Sequence, residues 1–187
     1  MYAVFLLNLF LLSFLLQSTL LERLVVAGVK PDLILLLACL LGLFFGRHKG
    51  LMLGGLAGLI QDCLSGSLFG LNALCKALVG FAGGVLQRHI GVHNRSLQML
   101  VVALLTAFDG LLTLGLVSLF RDSGPPLRPT VQLLALQMVY NGLLAAPYFA
   151  LLTRAARRYL PAIGYVELPA ASSGVRSWLQ RTQRKLR

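Results

Sequence analysis

Residues 2–21 and 130–153 contain no Asp, Glu, Lys or Arg, and residues 68–87 and 96–120 carry one such group each, Lys76 and Asp109. Each run reaches the roughly 20 residues that a helix needs to cross a bilayer. A helix of a soluble domain buries one apolar stripe and keeps the rest polar, so four such runs exclude an ordinary soluble fold. Composition agrees: 57% of the chain is hydrophobic and 12% is charged, against about 25% charged in a soluble domain. With 187 residues the chain makes one domain, or at most two very small ones.

Two shorter apolar segments, 32–46 and 50–65, are joined by the basic turn Arg47-His48-Lys49. They read either as one re-entrant pair or as two spans. Two spans give an all-α polytopic membrane protein with six transmembrane helices over residues 1–155, followed by a basic tail over 156–187. No basic residue precedes the first run and no small-x-small pattern follows it, so it is expected to be a retained span rather than a signal peptide.

The formal net charge of +11 is compatible with nucleic acid or an anionic surface, and its placement favours the surface. Eight of the 17 basic residues fall in the last 34 positions, beyond the final apolar run. Six spans would put twelve basic residues on the side of the two termini and four on the other, with Lys76 inside a span. The internal loops balance, so the tail sets the orientation, with both termini cytoplasmic. Positions 161–174 form a flexible link, and 172–187 can form an interfacial helix. Trp178 would lie on its apolar side, with Arg176, Arg181, Arg184 and Lys185 able to hold anionic lipid. A disordered basic tail is the plainer alternative.

Within the apolar runs, Gly50, Gly54 and Gly58 recur every four residues and lead to Asp62 on nearly the same helix face. Gly80 and Gly84 form a second such pair. Helices in lipid associate through close packing, so these faces predict close helix contacts, either within the chain or with a partner or ligand. Lys76 and Asp109 both lie deep, and an unpaired charge there is expensive, so Lys76 is expected to pair with Asp109 or with Asp62. These groups, with Asn72, Gln137 and Asn141 near them, form a structural polar cluster, a coupling site or a binding cavity. Pro31-Asp32 reads as a helix start, and Pro147 should bend the last span.

Enzyme chemistry finds little support. Cys39, Cys63 and Cys75 lie in apolar segments without metal-ligand spacing and read as buried inert thiols. His89 and His93 are four apart but lack the glutamate of a zinc-protease motif and a third ligand. There is no nucleotide-binding glycine loop, and no histidine falls on the side of Ser65 and Ser67 to activate a serine. No catalytic residue, cofactor or metal is expected.

The ordered pattern Gly50-x3-Gly54-x3-Gly58-x3-Asp62, then Ser65-Gly66-Ser67-Leu-Phe-Gly70-Leu-Asn72, then Gly80 and Gly84, resembles the family of the rod shape-determining protein MreD. Gln17-Ser18 and Pro31-Asp32-Leu33 add to the resemblance, which covers roughly residues 1–155. It implies a bacterial inner-membrane component of the cell-elongation machinery, acting with MreC in a wider complex with MreB, RodA and the elongation-specific transpeptidase. It further implies a noncatalytic regulator of lateral peptidoglycan synthesis and cell shape, with no nucleic-acid partner. The implied fold is similar to the substrate-binding subunits of energy-coupling-factor transporters, which makes a small-molecule transporter subunit the alternative. Pro31, Asp32, Asp62, Gly66, Gly70, Asn72 and Gly80 carry over as structural or interaction positions. The tail departs from the family pattern, since many members end soon after the last span.

Overall fold

A computed structural model describes residues 2–19, 25, 28–65, 68–87, 95–120 and 127–159. These form five helices: α1 Tyr2–Thr19, α2 Leu33–Ser65, α3 Leu71–Leu86, α4 Arg95–Phe120 and α5 Leu127–Tyr159. The expected tail helix, with Arg176, Trp178, Arg181, Arg184 and Lys185, lies outside the described residues.

The second helix is folded back on itself. Gly46 interrupts it with φ 79° and ψ 176°, a backbone conformation that side-chain-bearing residues rarely adopt. Gly50 packs against the backbone of Gly42, and Gly54 packs against Ala38, so residues 33–45 and 47–65 run antiparallel as two arms. Arg47, His48 and Lys49 are exposed at the tip of this hairpin.

The expectation of six transmembrane helices is corrected. Among the described residues there are five helices, and three stretches are long and apolar enough to cross a membrane: Leu33–Ser65, Ser96–Leu119 and Pro129–Arg154. The segments expected as separate spans at 32–46 and 50–65 are the two antiparallel arms of α2, 33–45 and 47–65, and the 33 residues of Leu33–Ser65 are the sum of both arms. The first arm is only about 20 Å long at 1.5 Å per residue. Helix α3 falls short of the expected 68–87 because residues 68–70 form a turn and Gly70 enters the helix at φ 92°. Its 16 residues extend about 24 Å, against a hydrocarbon thickness of about 30 Å. Helix α5 runs through Pro147 to Tyr159 as a single helix.

The first arm of α2 is the centre of the molecule. Ile34 through Cys39 are wholly buried, with no exposed face, as suits a helix that is apolar all round. Leu9 and Phe10 of α1, Val101, Val102 and Leu105 of α4, and Ala145, Phe149 and Leu152 of α5 complete the core around it. Ser13 and Tyr148 share a hydrogen bond of 2.7 Å that ties α1 to α5. Outward-facing Leu100, Leu111, Leu143 and Leu151 leave apolar surface on α4 and α5. With three helices of spanning length, this surface marks a multi-pass membrane protein.

Candidate functional site

Because the first arm is short and central, its N-terminus begins inside the protein, where its free amides need partners other than water. Asp32 Oδ1 accepts from the Leu35 amide at 2.9 Å, and Gln17 Oε1 of α1 accepts from the Ile34 amide at 3.1 Å. The Asp32 amide donates to Asn141 Oδ1 of α5 at 2.9 Å. Asn141 Nδ2 in turn donates to Thr106 Oγ1 of α4 at 3.2 Å, and Thr106 donates to the Val102 carbonyl at 2.8 Å. One buried helix end thereby gathers side chains from α1, α4 and α5.

The other Asp32 oxygen makes an ion pair. Oδ2 lies 2.8 Å from Lys76 Nζ, and Lys76 reaches both Asp109 oxygens at 3.0 and 2.9 Å. Lys76 is 2% exposed, so its ammonium has exchanged water for three carboxylate oxygens. Two carboxylates facing one ammonium leave a formal charge of −1. The positive end of the first arm, with the Leu35 amide on Asp32, offsets part of it. The sequence leaves Lys76 between Asp109 and Asp62, and the structure brings it to Asp109 and Asp32. Asp32 thus serves both as helix cap and as a member of a triad that joins α2, α3 and α4.

Asp62 lies elsewhere, near the end of the second arm, and organises the start of α3. Its Oδ2 accepts from the amides of Gly70 and Ala73, both at 3.0 Å. Its Oδ1 accepts from the Asn72 amide at 3.2 Å and from Asn72 Nδ2 at 2.8 Å. The carboxylate therefore acts as an N-cap supplied by a neighbouring helix, and Gly70 and Asn72 are its turn and its clamp.

The glycine faces meet within this chain. A Cβ on Gly54 would overlap the Lys76 carbonyl, one on Gly58 the Asn72 carbonyl, and one on Gly50 the Gly80 carbonyl. Gly80 presses back on the Gly50 carbonyl, and Gly84 lies on the Arg47 backbone. The spacing pattern did not single out Gly42 and Gly83: a Cβ on Gly42 would overlap the Gly80 carbonyl, and one on Gly83 would press less closely on the Cys39 carbonyl. The four-residue series does extend back through Gly46 to Gly42, but the reversal at Gly46 hides their shared face. Gln17, Thr106 and Asn141 carried no pattern of their own that would place them on one helix end.

Among the described residues, no group of three or more His, Cys, Asp or Glu is placed to hold a metal ion. Cys39 and Cys75 are buried, whereas Cys63, expected buried, is exposed because it lies on the outer side of the second arm.

No curated protein and no solved structure matches the chain. The expected likeness to the substrate-binding subunits of energy-coupling-factor transporters, which the resemblance implied, is accordingly withdrawn: no structural match links the two, and the described residues form five helices. A family model does match, that of the rod shape-determining protein MreD, over residues 1–155. That stretch holds the ion triad, the Asp62 cap and every glycine of the α2–α3 contact, and the chain belongs to the MreD family.

Proposed function

We propose that the chain is a noncatalytic membrane scaffold or regulator of the bacterial cell-elongation complex, controlling rod shape and lateral peptidoglycan synthesis through MreC. Family membership supports this reading, and so does the use to which the polar groups are put. Lys76, Asp32, Asp109 and Asn141 are engaged with one another, and they fasten α2, α3, α4 and α5 into one body. The triad is the observation that carries the proposal: a scaffold holds partners at fixed positions only if its own helices do not shift.

The body would sit in the bacterial inner membrane, with MreC as the direct partner. MreB, RodA and the elongation-specific transpeptidase would belong to the wider complex. The exposed basic turn at Arg47–Lys49 and the basic tail would both face the cytoplasm. Arg176, Arg181, Arg184 and Lys185 would hold anionic lipid there, with Trp178 at the headgroup level.

Depletion of the protein in a rod-shaped host is expected to give rounded cells, and the tagged full chain is expected to retain MreC on purification in mild detergent. Normal rods after complete depletion, together with no retained MreC, would overturn the proposal.

A further inference from the structure

The ion triad fixes a common level from which the lengths of the helices can be compared. From Lys76, α3 reaches about 8 Å to its start at Leu71 and about 15 Å to its end at Leu86. Asp109 is level with Lys76 through their ion pair, and from it α4 reaches about 17 Å to Phe120 and about 21 Å to Arg95. Asn141 joins α5 to the same level through Thr106 and the Asp32 amide, and α5 runs further still in both directions. The second arm of α2 stays with α3. Exposed Arg47, His48 and Lys49 bound it at one end and exposed Ser65 at the other, and Lys49 lies only about 24 Å from Ser65 along the helix.

Between those polar limits the outer face is apolar, with Met52, Leu56 and Leu64 exposed on the second arm and Leu74, Phe81 and Val85 on α3. On α5 the exposed apolar residues extend from Val131 to Leu151, about 30 Å, which matches the hydrocarbon thickness. The face of α3 and the second arm falls about 6 Å short of that thickness. Tilting either helix shortens its reach across the bilayer further. We propose that this face is a short lipid-facing side, which thins the bilayer beside it and takes phospholipids with shorter acyl chains than the α5 side takes. A protein helix is a poor alternative cover. Helices in lipid dock through small residues, and Gly50, Gly54, Gly58, Gly80 and Gly84 are already taken by the contact between α2 and α3. A bilayer adjusts its thickness to an embedded surface at a cost that grows with the mismatch, and that cost sorts proteins among membranes of different thickness. The molecule thereby carries a preference for thin membrane on one side only. The proposal rests on membrane residence and not on association with MreC.

The test uses the full chain carrying Trp178→Phe, which removes the sole tryptophan. A single tryptophan is then introduced on the short side by Leu56→Trp or, separately, by Phe81→Trp, and on the long side by Leu143→Trp or by Val139→Trp. Each variant is reconstituted with brominated dioleoyl phosphatidylcholine as quencher and unbrominated dimyristoleoyl, dioleoyl or dierucoyl phosphatidylcholine as competitor. On the short side the short-chain dimyristoleoyl lipid is expected to relieve quenching about twofold better than the long-chain dierucoyl lipid. On the long side dioleoyl phosphatidylcholine should compete best. The same order of the three lipids on both sides would mean a belt of uniform thickness and overturn the proposal. Shielding of both short-side tryptophans from the quencher would mean a protein occupant and overturn it too.

Discussion

Lys76 holds three carboxylate oxygens from two helices, and the balance of charge around it determines what its removal does. Lys76→Met keeps most of the volume but leaves Asp32 and Asp109 facing each other without their cation. Breaking a buried ion pair in this way costs about 3–5 kcal/mol, so the variant is expected to unfold at clearly lower denaturant in detergent. A midpoint equal to that of the parent chain would deny the triad a stabilising role. Asp109→Asn should be milder, because Lys76 keeps its contact with Asp32. Asp62→Asn replaces one acceptor oxygen by an amide that cannot receive the two backbone or side-chain donors aimed at it. A cost of about 1–2 kcal/mol, the range of a lost cap, is expected. Hydrogen exchange should quicken at the amides of residues 70–73 while the core of α4 stays protected. Unchanged exchange at those amides would remove the capping role.

At the level of elements, α2 and α3 approach as closely as backbones allow. Leucine at Gly54 or Gly58 would drive a branched side chain into the carbonyl of Lys76 or Asn72. Either variant should push α3 outward, lower stability and weaken association with MreC in co-purification. Normal folding with normal MreC retention in both would show that the contact has no such role. Gly46 acts differently, through its backbone. At φ 79° and ψ 176° alanine is strained by about 1–3 kcal/mol, so Gly46→Ala should destabilise the hairpin even though only Gln87 Oε1 lies near the added Cβ. Gly46→Asn should lose as much in thermal unfolding, since φ 79° with ψ 176° lies outside the left-handed α region that asparagine tolerates.

For the whole molecule, the central first arm explains why the outer helices can be lipid-facing while a charged cluster persists inside. The arm ends short of the surface, its amides attract Asp32, Gln17 and Asn141, and Lys76 offsets one of the two buried carboxylate charges. The proposed orientation is open to a direct check. In a background with Cys39, Cys63 and Cys75 replaced by alanine, His48→Cys and Ser177→Cys are expected to resist an impermeant thiol reagent in intact spheroplasts. Both should react after permeabilisation. Reaction of just one of them in intact spheroplasts would place the hairpin tip and the tail on opposite sides of the membrane.

Membrane residence was legible because apolar runs of spanning length have no other economical use, and the family pattern was legible because its glycines keep a fixed spacing. Asp32 also stood out as a helix start from its place after Pro31, and the bond to the Leu35 amide follows from that local position. The path of the chain between the two short apolar segments was not legible: hydropathy reports how apolar a segment is, whereas a single positive-φ glycine, Gly46, turns the chain back and lays the two arms of α2 antiparallel. The partners of Lys76 were beyond reach for a related reason. Depth along a helix limits which charges it can meet, but only the burial of the first arm among five helical neighbours, counting its own second arm, brings Asp32 down to the same ammonium as Asp109.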